Sequence, residues 1–317
     1  ADHRGDYSEI HSHALHKGGR TMSAAQVRER AHQAAPRPLN RKKIHPGKIA
    51  VNAILVITSL VWLLPVYWMV NSAFQTEKTL LSSPPKLIPA PLTTEHFAKV
   101  LSSPAFHSAL LMSLSAAVIT VVATTLCSLL AALALARFNF RGRRTLIVAI
   151  LVIQMIPAEA LFISQYRMLD SWALLNSVAG LSLLYVGGVL PFVTWMMRGY
   201  VEAVPEELEQ AAMIDGCTRI QAFMRVTLPL LAPGLVSTSV FAFLHSWNEY
   251  TLALIVLSRD SAVTLPLWLQ SFQQGLQGSD WGGVMAGSTL ITIPVLILFI
   301  FVQNRMSTGM VSGAVKG

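Results

Sequence analysis

Charge is the scarcest property of this 317-residue chain: only 13% of its residues are Asp, Glu, Lys or Arg, whereas 53% are hydrophobic. An ordinary soluble domain carries about 25% charged residues. The mean hydropathy is correspondingly high, at +0.52. A soluble domain could not bury so much apolar surface, so the composition predicts one polytopic membrane domain and excludes disorder and coiled coil.

The chain also lacks the sequence features of a metal, disulfide or nucleotide site. Its two cysteines, Cys127 and Cys217, stand in unlike contexts, so neither a disulfide framework nor a metal site is expected. No G-x-x-x-x-G-K-[ST] phosphate loop occurs in the sequence, so the chain cannot hold ATP by that device. We therefore expect no catalytic residues, no bound cofactor and no enzymatic activity in this chain.

Six apolar runs are long enough to cross a bilayer, which takes ~20 residues. The third run contains Glu159 and the fifth contains Glu249. The runs are continuous, not alternating with a period of two, so they predict an all-α fold with six transmembrane helices. The six predicted spans cover residues 49–70, part of 100–136, 145–164, 180–197, 235–257 and 284–303.

The basic residues predict the orientation of these spans. Lys and Arg are retained on the cytoplasmic side of membrane proteins. With the N-terminus inside, the cytoplasmic segments hold all but five of the 24 Lys and Arg residues. Both termini are therefore expected in the cytoplasm, and the net charge of +8 reflects topology and not nucleic-acid binding. The five exceptions are Lys78, Lys86, Lys99, Arg167 and Arg259.

The same pattern divides the chain into segments. Residues 1–48 are expected to form a cytoplasmic tail whose basic cluster is attracted to anionic lipid headgroups. Met22 is a candidate natural start, which would make residues 1–21 non-native. Residues 49–304 form the six-helix domain, and 305–317 form a second cytoplasmic tail.

The loop at 199–233, between the fourth and fifth spans, is polar and patterned. Pro205 followed by acidic residues is typical of a helix start, and Gly216 permits a tight turn where that helix ends. Thr218 and Gln221 fit a capping box that begins a second short helix running to Pro229. The loop is thus predicted to be a helix-turn-helix on the cytoplasmic face.

The residues from Gln210 to Pro229 closely resemble the E-A-A-x3-G-x9-I-x-L-P loop of ABC-importer permeases. One position departs from that pattern, because Gln210 replaces the family's Glu. Its charge is supplied by Glu209 or Glu207, or docking relies on hydrogen bonds. The resemblance implies that this coupling loop docks on an ATPase through Glu206, Glu207, Glu209, Gln210, Ala211, Ala212, Asp215, Gly216, Arg219, Leu228 and Pro229.

The resemblance extends to nearly the whole chain from about residue 49. The stretch from Trp247 to Tyr250 and the tail from Gly309 to Gly317 look most like the carbohydrate-uptake branch, similar to the second permease of the maltose transporter. Two positions depart from that pattern: Leu184, where many members have Pro, and His245, just before the Trp. In that family the tail reaches the ATPase dimer, which implies ATPase contacts for Gly313, Ala314, Val315 and Lys316.

The resemblance also implies function and partners. The chain is expected in the inner membrane of a prokaryote, where it forms half of a translocation path for a sugar or oligosaccharide by alternating access. Its implied partners are a second permease subunit, two copies of an ATPase subunit that bind ATP and Mg, a solute-binding protein and membrane lipid.

Polar residues inside the spans are candidates for the solute path, because an ionisable group there costs about 2.5–3.5 kcal/mol on insertion scales. Helix packing, a gate or contact with lipid headgroups remain alternative roles for these residues. The candidates are Glu159, Trp247, Asn248, Glu249 and Tyr250.

Three other functions remain open at this point. The same machine could import another polar solute, such as glycerol phosphate or a polyamine. A secondary carrier would need no ATPase, but the inverted repeats typical of such carriers are not recognisable. An intramembrane enzyme would need paired catalytic groups, whereas Glu159 and Glu249 are isolated in sequence.

Overall fold

The computed structural model describes residues 46–259, 262–273 and 280–313. The chain divides into two compact units, residues 1–61 and 62–317. All the regular elements in these described ranges are helical. Five helices there are long and apolar enough to cross a membrane, and a bent pair gives a sixth if it is counted as one span. The described fold is therefore all-α, as the sequence predicts.

Most predicted spans coincide with one long helix each. We number the helices in chain order: α1 Pro46–Ala73, α2 Glu77–Leu80, α3 Glu95–Leu101, α4 Pro104–Arg137, α5 Arg143–Ile153, α6 Phe162–Ser171, α7 Val178–Ala203, α8 Glu206–Ile214, α9 Arg219–Ala222, α10 Leu228–Asn248, α11 Thr251–Val256, α12 Leu265–Gln270 and α13 Trp281–Gly313. Helix α13 continues ten residues past the predicted end of the sixth span.

The third span is not one straight helix. Helix α5 ends at Ile153, a 3-10 turn follows at Ala158–Leu161, and α6 then leaves at 95° to α5. Pro157 has no amide hydrogen, and a residue before proline avoids the helical region, so the α5 ladder stops before it. The third span predicted over 145–164 is therefore present only as this bent pair of helices.

The fifth span begins and ends earlier than predicted. The chain is helical from Arg219 through α9, a π-helical turn and α10, so the second helix of the loop does not stop at Pro229. Helix α10 ends at Asn248, where Glu249 takes an extended conformation with ψ 127°. Glu249 therefore lies at a break between α10 and α11, and not inside a continuous helix.

The core of the second unit is built on α4 and α7, which contact each other more than any other pair of helices. The buried face of α4 is mostly small, and small residues let membrane helices approach closely. Tyr185 and Leu181 of α7 pack with Leu169 of α6 and Ala253 of α11 in one buried cluster. This packing fixes the broken third span against α7 and α11.

Candidate functional site

Helix α8 presents the predicted coupling loop. Pro205 precedes its first turn, which carries Glu206, Glu207 and Glu209. Acidic residues near a helix N-terminus are favoured by the helix dipole. Gln210 and Ala211 are exposed and Ala212 is half-buried. The small and polar face expected for docking is thus open to a partner over most of its length.

The turn after α8 is a Schellman motif. The Gly216 amide donates to Met213 O and the Cys217 amide donates to Ala212 O, at 3.1 and 3.0 Å. Gly216 has φ +92°, a conformation that costs other residues free energy because their Cβ atom clashes with the backbone. The predicted turn at Gly216 is confirmed.

The helix after the turn begins as its sequence indicates. The Thr218 side chain accepts from the Gln221 amide at 3.3 Å, and the Gln221 side chain accepts from the Thr218 amide at 2.9 Å. The predicted capping box is therefore present. Ile214, just before the turn, and Ile220, just after it, are 86% and 77% exposed. These two side chains are the most exposed large apolar groups of the loop.

An arginine at the end of α4 holds α8 in place. Arg137 donates to Val204 O at 2.8 Å and lies 3.1 Å from Glu206 and 3.9 Å from Glu209. Glu209 also accepts from the Thr227 hydroxyl at 2.5 Å. The Glu209 side chain is only 18% exposed, so its charge faces this chain and not a partner. Glu207, three residues before Gln210, is exposed.

The rest of the predicted docking set is distributed as follows. Asp215 and Arg219 are exposed beside the turn, and the Arg219 guanidinium lies 5.6 Å from the centre of the Phe138 ring. Leu228 is half-buried and Pro229 is exposed at the start of α10. Gly313 ends α13, whereas Ala314, Val315 and Lys316 lie outside the described residues.

The tryptophan stretch lies at the end of α10 and does not project as one patch. Trp247 is 1% exposed, stacks on Phe243 with centroids 5.3 Å apart, and donates to Ile291 O at 3.2 Å. The exposed Asn248 donates to Leu244 O at 2.9 Å. The hydroxyl of Tyr250 donates to Gln270. Trp247 therefore packs against α13, and only Asn248 of the three is fully exposed.

Glu249 caps the helix that follows it. Its carboxylate accepts from the amides of Leu252 and Ala253 at 2.7 and 3.1 Å, and from the Tyr185 hydroxyl at 3.1 Å. A carboxylate that accepts the free amides of a first turn stabilises that helix end. Glu249 thus joins α7 to the break between α10 and α11.

Glu159 lies in the exposed 3-10 turn of the broken third span, away from Glu249 in sequence and in a separate element.

A cavity of about 680 Å³ lies beside the broken third span. Residues of α5, α6, α7, α10 and α11 line it, together with the 3-10 turn. Its polar lining residues are Gln154, Gln165 and His245, and none of the five path candidates from the sequence lines it. Sequence spacing could not reveal this group, because the three residues line one cavity only through the bend between α5 and α6 and the position of α10 beside it. The only sequence signals were a polar Gln154 within an apolar run and the departure at His245.

A known protein family matches more than half of this chain. The family described as the binding-protein-dependent transport system inner membrane component matches residues 123–311, which include the coupling loop. The chain belongs to this family. It is therefore the multi-pass permease component of an ABC importer, and the expected family is confirmed.

Relatives of this permease are named for sugar uptake. It is 44% identical over 271 residues to the diacetylchitobiose uptake system permease protein DasC of Streptomyces coelicolor, covering 86% of this chain and 98% of that one. It is 34% identical to the trehalose transport system permease protein SugB of Mycobacterium tuberculosis, covering 80% and 93% of the two chains.

A solved structure has the same fold. A bacterial ABC transporter involved in the import of the acidic polysaccharide alginate superposes with a TM-score of 0.69 at 23% identity, over 80% of this chain and 95% of that one. At that identity the likeness establishes the architecture of the permease alone.

Proposed function

We propose that this permease forms half of the translocation path of an ATP-driven importer for a sugar or oligosaccharide. The observation that carries the proposal is the coupling loop, in which α8 and a Schellman turn present Ile214 and Ile220 to solvent. In a secondary carrier, which has no ATPase partner, no protein would cover the exposed side chains of Ile214 and Ile220. The names of the sugar-uptake relatives support the cargo class.

The proposed complex contains this chain, a second permease, two copies of an ATPase that hold ATP and Mg, and a solute-binding protein. Both termini and the coupling loop lie on the cytoplasmic side. When the ATPases close on ATP, α8 moves with them. Arg137 transmits that movement to α4, because it contacts Glu206 and the Val204 carbonyl at once. The spans then open outward to accept solute from the binding protein.

Reconstitution tests this function. The purified complex in proteoliposomes is supplied with its binding protein and with diacetylchitobiose, trehalose, glycerol phosphate or a polyamine. We expect uptake of a disaccharide that needs ATP on the side of the coupling loop and stops with vanadate. ATP-independent uptake would identify a secondary carrier, and uptake of glycerol phosphate or polyamine instead would refute the cargo.

The docking surface is tested separately by co-purification of the ATPase. Ile214→Ser removes an apolar contact from the coupling loop, whereas Phe140→Ser removes an exposed apolar side chain from the preceding inner loop. We expect Ile214→Ser to lower the yield of bound ATPase and Phe140→Ser to leave it unchanged. Equal yields in both variants would contradict docking through this turn.

A further inference from the structure

The cavity beside the broken third span has the lining of a binding site. The bend between α5 and α6 forms one wall, and α7 and α10 form the other. A Cβ added at Gly187 or Gly188 of α7 would meet no atom of the described chain within 4 Å. The cavity is therefore wider beside these two glycines, and no other side chain of the described residues fills the space next to them.

One polar atom in this wall is buried without a hydrogen bond. Gln165 Oε1 has no partner among the described residues, although its residue lines the cavity. Buried polar atoms in native proteins are nearly always hydrogen-bonded. Because Oε1 is closed to solvent in this conformation, a donor in the cavity reaches it once the Gln165 side chain turns toward the cavity. Gln154 donates its amide nitrogen to Ile150 O at 3.2 Å, which leaves its own carbonyl oxygen to accept.

Aromatic rings complete the lining. Phe192 and Phe241 contact each other with centroids 4.4 Å apart, and the His245 ring lies 6.4 Å from Phe241. Trp172, at the end of α6, adds an exposed indole on the opposite wall. Ring faces next to a few amide and imidazole groups can pack on the C–H faces of a pyranose while the polar groups bond its hydroxyls.

The cavity carries no formal charge when His245 is neutral, because none of its described lining residues is Asp, Glu, Lys or Arg. A phosphate held here would be a charge with no cation in the lining and with the Glu249 carboxylate nearby, since Glu249 accepts from the amide of Leu252, which lines the cavity. Hydroxyl and acetamido groups need only the donors and acceptors that two carboxamides and an imidazole supply.

We propose that this cavity is a subsite for a neutral sugar, so that this permease contacts the solute itself through Gln154, Gln165 and His245. The proposal rests on the proposed import function. It assigns solute contact to residues outside the Trp247–Tyr250 stretch, and it favours uncharged sugars over glycerol phosphate.

The test compares variants of the cavity in the reconstituted complex, with diacetylchitobiose as the probe. Gly188→Leu fills the cavity, Gln165→Met removes the amide at similar volume, and Gln154→Leu removes the second amide from an exposed position. Gly199→Leu is the matched control, since Gly199 lies on the same helix, is equally open and does not line the cavity.

The measured quantity is the number of ATP molecules hydrolysed for each sugar taken up. We expect uptake to fall about tenfold in the cavity variants, which corresponds to about 1.4 kcal/mol. ATP hydrolysis stimulated by the loaded binding protein should stay near wild type, because the coupling loop is unchanged. A merely structural role would lower both rates together. Gly199→Leu should leave the ratio unchanged.

The outcomes separate this proposal from the import function. If the wild-type complex takes up no sugar with ATP, the import function itself fails. If the wild type transports and Gly188→Leu and Gln154→Leu keep its ATP-per-sugar ratio, the subsite is refuted while import stands. Because Gln154 is exposed and a Cβ at Gly188 meets nothing, these two variants remain informative if Gln165→Met does not assemble.

Discussion

Replacement of Arg137 by Met is expected to release α8 from the membrane helices. The Arg137 side chain is 11% exposed, and its guanidinium contacts three acceptors. Met keeps the apolar stem and removes every donor. The variant therefore tests the polar attachment of the coupling loop without opening a large gap in the packing.

The magnitude follows from the three contacts. The hydrogen bond to Val204 O, at 2.8 Å from a charged donor, contributes about 1.5–3 kcal/mol. The pair with Glu206, whose side chain is 57% exposed, contributes about 0.2–1 kcal/mol. Glu209, at 3.9 Å, loses its nearest positive charge but keeps the Thr227 hydroxyl. Contacts that share one guanidinium are not additive, so we expect a total of about 2–4 kcal/mol.

Hydrogen exchange measures this loss directly. A local destabilisation of about 2–4 kcal/mol raises exchange about 30- to 900-fold. The faster exchange should be confined to the amides of residues 208–217, in and just after α8. Arg143→Met is the matched control, since Arg143 lies on the same side and pairs at 3.8 Å with Glu202, which is 42% exposed. In Arg143→Met, the rate of hydrogen exchange should rise by no more than about fivefold. Equal exchange of this segment in the two variants would refute the attachment through Arg137.

Three further outcomes are expected. Gly216→Val should reduce the yield of bound ATPase without affecting membrane insertion, because its φ of +92° disfavours a β-branched residue, whereas Gly142→Val, also at φ +92°, should keep the ATPase. Glu249→Ala should lower the free energy of unfolding by about 1–3 kcal/mol through loss of the α11 cap, with uptake per assembled complex unchanged; reduced uptake at full stability would indicate a path role instead. Partial burial raises the pKa of Asp280, but hydrogen bonds from Lys99 and the Gly283 amide outweigh it and hold that pKa below its usual range. The stability lost in Asp280→Asn should therefore be constant above about pH 4, the ordinary pKa, and should vanish as the pH falls through the lowered value; a difference that persists at low pH would exclude the ionised carboxylate as its cause.

Local signals in the sequence were sufficient for the elements that depend on neighbouring residues. The apolar runs are contiguous in the sequence, and the capping box of Thr218 and Gln221 and the turn at Gly216 each involve groups three to five residues apart. Hydrogen bonds over that distance form wherever the chain is helical, so spacing alone predicts them. The family followed from the same stretch, because the docking motif is contiguous.

The prolines show that local sequence does not predict which helices are interrupted. Pro157 stands at the break between α5 and α6, whereas Pro191 and Pro294 lie inside continuous helices. The local cost of proline is similar at each site, so the surrounding packing decides whether the helix continues. The 95° bend therefore required the tertiary structure, with α6 packed on α11 and α5 on α7.

Contacts between residues far apart in the chain could not be predicted from the sequence either. Arg137 meets Val204 across 67 positions, and Glu249 meets Tyr185 across 64. The sequence determined that the chain has membrane-spanning helices and a helix-turn-helix loop between the fourth and fifth spans, since both depend on apolar runs and short spacings. Only the tertiary structure decided that Glu249 caps a helix, that Glu209 faces inward, and that Gln154, Gln165 and His245 share one cavity, because those relations depend on how bent helices pack.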